Sequence, residues 1–179
     1  MKYYDPDIPS SNYVQIIDMN FLANPDALDI IRLLGTFGYN GKRIEWELVC
    51  GVDFRLLTQE VCDALKESNF VKMRWAWDYS FNYQKKHQKI WRMFKKAGYK
   101  SRDLRVFMLV NWKIPYVDCC RKLDLLKIWG VEVADCCWDG GYKIAKPVYW
   151  KPEHIKKFRA MCRKHDQMII HELDPEYLK

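Results

Sequence analysis

The sequence predicts a mixed α/β fold, a partial (βα) barrel of about five parallel strands. Strand-like segments start near residues 12, 44, 70, 104 and 131, and each of the first four is followed by a helix-like segment. This spacing is typical of βα units whose right-handed crossovers make neighbouring strands parallel. Two strands alternate charged with apolar residues, which fits a barrel with a polar interior better than a sheet covered by helices on both faces.

The composition predicts one soluble domain over residues 1–179. The chain has 179 residues, of which 49% are hydrophobic and 15% aromatic, enough for a core of single-domain size. No apolar run approaches the roughly 18 residues of a membrane span, and the start lacks the apolar stretch of a secretory signal. We therefore expect a cytoplasmic protein with no membrane partner. Residues 12–140 would form the βα repeats, and 141–179 a C-terminal extension with a basic helix.

The cysteines predict a reduced protein without a disulfide framework. Their number is odd, two pairs are sequence neighbours, and there is no C-x-x-C. Neighbouring cysteines near a strand end tend to point to opposite faces, which disfavours a metal cluster there. The seven are Cys50, Cys62, Cys119, Cys120, Cys136, Cys137 and Cys162.

The first half of the chain contains two predicted βα units. The strand over 12–18 is followed by a helix that we expect to start at Asn24, as N-cap, with Pro25 in its first turn. The next strand, 44–49, alternates Trp46 and Leu48 with two glutamates. Thr58 is the predicted cap of the helix that follows.

The second half continues the same alternation. A strand over 70–78 alternates apolar and basic residues and precedes a basic helix over about 82–97. A nearly continuous apolar strand over 104–112 precedes a helix over about 115–129. The last strand spans 131–137, and Pro152 starts a helix that we expect to reach about residue 164.

Polar residues recur where the predicted strands end. In folds of this type the functional groups gather at the carboxyl ends of the strands. These positions therefore form the candidate site, and they comprise Asp18, Asn20, Asp53, Arg55, Asp78, Asn111, Cys136 and Asp139.

Four of these segments, in their order, resemble successive βα units of the radical S-adenosylmethionine superfamily. They are IIDMNFLANP, CGVDFRLLTQE, VKMRWAWD and LRVFMLVNW, and the resemblance covers residues 13 to about 140. It implies a six-stranded partial barrel, S-adenosylmethionine as cofactor, and a four-iron, four-sulfur cluster that cleaves it reductively. The family binds that cluster with C-x-x-x-C-x-x-C after its first strand. This chain lacks the motif, and its first strand resembles the family's second.

The resemblance also implies roles for five residues. Asp18 and Asn20 would approach the amino group of S-adenosylmethionine, while Arg55 and Asp78 are candidates for its carboxylate and ribose hydroxyls. Asn111 falls where the family often has glycine near the adenine. A structural ion pair or a cap is the alternative for each. No catalytic residue and no metal ligand is assigned.

The resemblance therefore implies a truncated or split radical S-adenosylmethionine domain that is inactive alone. A partner chain or segment would supply the first strand and the cluster cysteines, and the uncovered strand edge predicts association or modest stability. An unrelated α/β enzyme that uses its strand-end carboxylates and arginine for acid–base chemistry is another possibility.

The basic helix supports a different alternative, a non-catalytic module that binds nucleic acid weakly or an acidic partner. The formal charge is +7, and no acidic residue lies between Asp78 and Asp103. A solvated helix face explains the same pattern. The helix carries Lys85, Lys89, Arg92 and Lys96 on one face, opposite Tyr83, Ile90, Phe94 and Ala97.

Overall fold

A computed structural model of the chain describes residues 11–111, 113–137 and 150–172. The predicted candidate Asp139 lies outside these residues. The strands are β1 (Tyr13–Ile16), β2 (Gly38–Tyr39), β3 (Lys42–Arg43), β4 (Glu45–Leu48), β5 (Met73–Ala76), β6 (Leu104–Val110) and β7 (Glu132–Cys137). The helices are α1 (Ala27–Leu34), α2 (Gln59–Glu67), α3 (Gln84–Lys96), α4 (Tyr116–Trp129) and α5 (Pro152–Ile170).

Five of the strands are parallel and follow chain order, which confirms the mixed α/β prediction. β1 pairs with β4, and β6 lies between β5 and β7, all in parallel register. Single parallel bridges join Trp46 to Phe70 and Val52 to Trp75, so the two sheets meet between β4 and β5. β2 and β3 form a small antiparallel hairpin. No closed barrel is formed by the described residues.

One face of the parallel strands carries the core. Along β6 every second residue is buried, beginning at Leu104 and ending at Val110. The predicted apolar positions Trp46 and Leu48 are likewise buried, as is Trp75 in β5. Each such side chain contributes about 1.5 to 3 kcal/mol by leaving water. Because the alternation has a period of two, the intervening residues all lie on the opposite face.

The start of α1 differs from the prediction. Oδ1 of Asn24 accepts a hydrogen bond from the backbone N–H of Asp26 at 2.9 Å, as a capping side chain does, and this bond closes a local turn. The helix begins after this turn, at Ala27. The predicted cap of α2 is confirmed, because the Thr58 hydroxyl accepts from the Val61 N–H at 3.2 Å.

The C-terminal helix is longer than predicted and belongs to the common core. α5 continues to Ile170 because Phe158, Cys162 and His165 repeat at helical spacing and are all buried. Nε2 of His165 donates to the carbonyl of Val131 at 2.8 Å, which ties the helix to the start of β7. None of the helices in the described ranges has the length and apolar composition needed to cross a membrane.

Two residues with positive φ shorten the predicted strands. Lys72, with φ of 50°, precedes β5, and Asn111, with φ of 59°, follows β6. Left-handed backbone cannot continue a strand ladder, and asparagine tolerates it better than most residues. The chain therefore turns at Asn111, whereas the prediction extended this strand to residue 112.

Candidate functional site

A cleft lies at the carboxyl ends of β1, β4 and β5, and we call it the strand-end cleft. Its volume is about 260 Å³. Three segments line it, one following each of these strands. The lining residues are Met19, Asn20, Cys50, Gly51, Val52, Asp53, Phe54, Arg55, Ala76, Asp78 and Tyr79.

Gly51 allows the loop after β4 to lie close against β5. Its φ is +81°, and a Cβ at this position would lie 2.8 Å from the carbonyl oxygen of Arg74. The next residue, Val52, donates its N–H to that same carbonyl at 2.8 Å. A side chain at position 51 would push the loop away, so glycine is required to bring residues 53–55 to the end of β5.

Arg55 and Asp53 form an ion pair at this cleft. Nε of Arg55 donates to Oδ1 of Asp53 at 2.8 Å, and Nη2 donates to Oδ2 at 2.6 Å. The hydrogen bond from Arg55 is the main cause that lowers the pKa of Asp53, so this carboxylate stays charged at neutral pH. The arginine side chain is 66% exposed and the aspartate only 13%. Asp53 therefore holds a guanidinium group that solvent and ligands can reach.

The structure brings three of the five predicted site residues together. Asn20, Arg55 and Asp78 come from three different strand ends and line the same cleft. Asp18 and Asn111 are not among the lining residues. Oδ1 of Asp18 accepts the N–H of Asn20 at 2.8 Å in a turn after β1, and Asn111 is buried.

Two aromatic residues that the sequence analysis missed also line the cleft. The ring of Phe54 meets that of Tyr79 edge to face, with centroids 6.2 Å apart. Each of these residues directly follows a strand-end aspartate, Asp53 or Asp78. This repeated pairing of a carboxylate with an aromatic residue is a sequence pattern from which they could have been predicted.

His87 on α3 is fully buried behind Phe54, whose ring centroid lies 4.8 Å from that of the imidazole. Nε1 of Trp75 donates to Nδ1 of His87 at 3.2 Å. The neutral ring must therefore carry its proton on Nε2. Burial, with smaller contributions from Lys122 and Lys86, lowers the pKa of His87 to about 3. The imidazole thus acts as a neutral packing group.

A second and larger cavity, of about 530 Å³, lies toward the amino ends of the strands. Its wall contains a row of polar side chains that crosses the strands, which we call the charged layer. In this layer Gln15 donates to Glu47 at 3.1 Å, and Arg74 forms an ion pair with the same glutamate. Nε of Arg105 donates to Glu132 at 2.8 Å. Burial is the main cause that lowers the pKa of Arg74, followed by the charge of Arg105.

The charged layer follows from strand register. Gln15 pairs with Glu47, Arg74 with Arg105, and Arg105 with Glu132 as neighbours across the parallel strands. Like charges on adjacent strands repel, and here each arginine is neutralised by a glutamate on its other side. The alternation of charged and apolar residues, from which we predicted a polar interior, thus produces two ion pairs on the face opposite the core. They join Arg74 to Glu47 and Arg105 to Glu132.

The cysteines do not fit an iron–sulfur cluster. Within the described ranges, no three His, Cys, Asp or Glu side chains are grouped so that they would hold a metal ion. All seven cysteines lie in these ranges, and no disulfide joins them. Burial, followed by the charges of Asp78 and Asp135, raises the pKa of Cys136, which disfavours the thiolate that a cluster needs.

Comparison with known proteins gives no family assignment. No protein-family model matches the chain, and no curated protein matches it.

Proposed function

We propose that this chain is the S-adenosylmethionine-binding part of a partial barrel of the radical S-adenosylmethionine type. The observation that carries the proposal is the position of Asn20, Arg55 and Asp78, which follow three successive parallel strands and line one cleft. Parallel strands in chain order are the arrangement of a partial barrel, and ligands of such folds bind at the carboxyl ends of the strands.

The chemistry of the cleft matches the polar groups of this ligand. Asp53 occupies Nε and Nη2 of Arg55, so Nη1 is the donor that a ligand carboxylate would meet. Asp78 is exposed and would accept hydrogen bonds from the ribose hydroxyls. Tyr79 offers a ring face to the adenine. The amide of Asn20 would contact the amino group.

The size of the cleft indicates how much of the ligand it would enclose. Small-molecule sites commonly have volumes of roughly 300 to 1,000 Å³, whereas this cleft has about 260 Å³. We therefore expect it to hold only part of S-adenosylmethionine, with the remainder on the open face of the strands. Binding by the chain alone should accordingly be weak.

Calorimetric titration with S-adenosylmethionine and with adenosine tests this proposal. We expect the complete ligand to bind more tightly than adenosine, and Arg55→Gln and Asp78→Asn each to weaken it about tenfold, because each removes one charged hydrogen bond. Arg121→Gln and Asp29→Asn are matched controls on α4 and α1, where the original side chains are exposed. Equal affinity in all four variants would contradict the proposal.

Catalysis requires a cluster that this chain does not hold. The proposal therefore includes a partner chain or segment that carries C-x-x-x-C-x-x-C and covers the edge of β1, whose only parallel neighbour among the described strands is β4. When bound, the cluster would supply the electron that cleaves S-adenosylmethionine.

Co-expression with such a partner, anaerobic reconstitution and an assay for deoxyadenosine test the catalytic part separately. We expect iron–sulfur absorbance and product only when both chains are present. Ligand binding without product on reconstitution would leave the cleft assignment standing and reject the split enzyme.

A further inference from the structure

The outer surface of α3 carries six basic residues, all of them exposed. None of them forms an ion pair with an acidic side chain of the described residues, whereas Arg32 on α1 and Lys127 on α4 do. We call this surface the α3 basic face. It consists of Lys85, Lys86, Lys89, Arg92, Lys95 and Lys96.

Two exposed tyrosines adjoin the α3 basic face at its amino end. Tyr79 and Tyr83 are 41% and 37% exposed, and their rings stack with centroids 4.8 Å apart. Nζ of Lys86 lies 4.9 Å from the centroid of the Tyr83 ring. The sequence predicted Tyr83 on the helix, on the face opposite the basic residues, and this was wrong. The helix proper begins at Gln84, and Tyr83 ends the short 3₁₀ turn over 81–83.

We propose that the α3 basic face and these two tyrosines bind single-stranded nucleic acid. Exposed bases stack on aromatic rings, while unpaired lysines and arginines contact the phosphates. α3 has 13 residues, and at 1.5 Å per residue it extends over roughly 20 Å. Sites for single strands span about 4 to 16 nucleotides, so a surface of this length suits a short strand.

Other polyanionic partners explain the surface less well. A membrane-bound helix buries leucine, phenylalanine or tryptophan in the lipid beside its basic residues. Between residues 79 and 96, all of which the structure describes, the exposed large hydrophobic residues are Tyr79 and Tyr83 alone. An acidic protein segment would use the lysines but give no reason for two stacked rings in solvent. Duplex nucleic acid keeps its bases stacked internally and presents no free ring faces.

This surface is continuous with the strand-end cleft. Tyr79 lines the cleft and contacts Phe54 there, and it also stacks on Tyr83. A strand held along α3 with a base on these rings would therefore pass the mouth of the cleft. The proposal does not depend on which ligand the cleft binds.

Fluorescence anisotropy with a labelled 12-nucleotide oligouridine tests the proposal across a series of salt concentrations. One variant combines Lys85→Ala, Lys89→Ala and Arg92→Ala, and a second carries Tyr83→Ala. The matched control combines Lys156→Ala, Lys157→Ala and Arg163→Ala, which removes the same charge from exposed positions on α5. Unlabelled duplex of the same length and polyglutamate serve as competitors.

We expect the triple variant on α3 to lower the slope of log affinity against log salt by about 2, since each lost phosphate contact removes roughly 0.7. Tyr83→Ala should weaken binding at least about fivefold. The control variant should retain most of the affinity, and the single strand should outcompete both competitors. Equal losses in the α3 and α5 variants, or no effect of Tyr83→Ala, would overturn the proposal, as would competition by polyglutamate equal to that of the single strand.

Discussion

The two ends of the parallel strands use the same residue types in opposite ways. At the carboxyl end, Arg55 pairs with Asp53 and remains 66% exposed. Toward the amino end, Arg74 pairs with Glu47, and their side chains are only 12% and 4% exposed. An exposed guanidinium keeps its affinity for a ligand, whereas a desolvated one depends on its partner. The first pair therefore suits binding, and the second joins neighbouring strands.

The two ends also respond to pH in opposite directions. Behind the strand-end cleft, burial lowers the pKa of His87 to about 3. Near the charged layer, burial raises the pKa of Asp166 to about 6, although its carboxylate accepts the N–H of Val133 at 2.8 Å. Acidification thus destabilises the cleft side, and a rise in pH from about 4 to about 6 destabilises the side of the charged layer.

The largest effect is expected from Glu47→Ala, which leaves the buried guanidinium of Arg74 without its partner. We expect the free energy of unfolding to fall by about 2 to 3 kcal/mol, measured by urea denaturation at pH 7. Glu45→Ala is the matched control, because Glu45 is exposed on the same strand. Equal effects of the two substitutions would show that the ion pair between Glu47 and Arg74 does not stabilise the fold.

His87→Gln should remove a pH-dependent loss of stability. The unfolded imidazole takes up a proton below about pH 6.5 but the folded one only near pH 3, so the original chain should lose about 2 kcal/mol between pH 7 and pH 5 from this group. Glutamine retains an acceptor for the Trp75 indole and does not titrate. The free energies of unfolding at pH 7 and at pH 5, measured by urea denaturation, should differ less in the variant than in the original chain. His171→Gln, at an exposed position, should leave that difference unchanged.

Asp166→Asn should raise stability above pH 6 and leave it unchanged below about pH 3.8. The folded carboxyl holds its proton to about pH 6, while the unfolded one releases it near 3.8, so the charged form costs stability in the folded state. We expect a gain of about 1 to 2 kcal/mol at pH 7.5, allowing for solvent screening. The amide oxygen can still accept from Val133. A lower free energy of unfolding at pH 7.5, or a gain no larger than that of the control Asp124→Asn on α4, would refute this assignment.

The smallest effect is expected from Arg55→Gln. Its guanidinium is exposed, and an exposed ion pair adds little to folding, so the urea midpoint should stay within measurement error. The same variant should weaken S-adenosylmethionine binding. A large shift of the midpoint would remove the contrast between the two ends, because Arg55 would then be structural as well.

The sequence predicted the parallel strands in chain order because periodicity and spacing are local properties. The alternation in β6 and the Thr58 cap are read from a few adjacent residues, and both are confirmed. The start of α1 was predicted a few residues too early, because the Asn24 side chain makes its local hydrogen bond to Asp26 in a turn and the regular helix begins only at Ala27. The end of α5 was missed because packing on β7 extends the helix.

The candidate site was only partly predictable for a related reason. Strand-end polarity identified Asn20, Arg55 and Asp78, which line one cleft, but it also identified Asp18 and Asn111, which do not. Whether a strand-end side chain meets the others depends on backbone turns such as the left-handed Asn111. The contact between the rings of His87 and Phe54, behind the cleft, joins residues more than thirty positions apart in the chain.

By itself, the sequence determined which segments form the parallel strands and the main helices, which face of the strands is apolar, and that α3 carries basic residues without acidic neighbours. Tertiary structure alone decided that Gly51 brings the loop after β4 against β5, that the charges of Glu47 and Arg74 are desolvated, and that Tyr79 and Tyr83 stack in solvent beside the cleft. The physical reason is that periodicity depends on near neighbours, whereas burial and the meeting of side chains depend on segments distant in sequence.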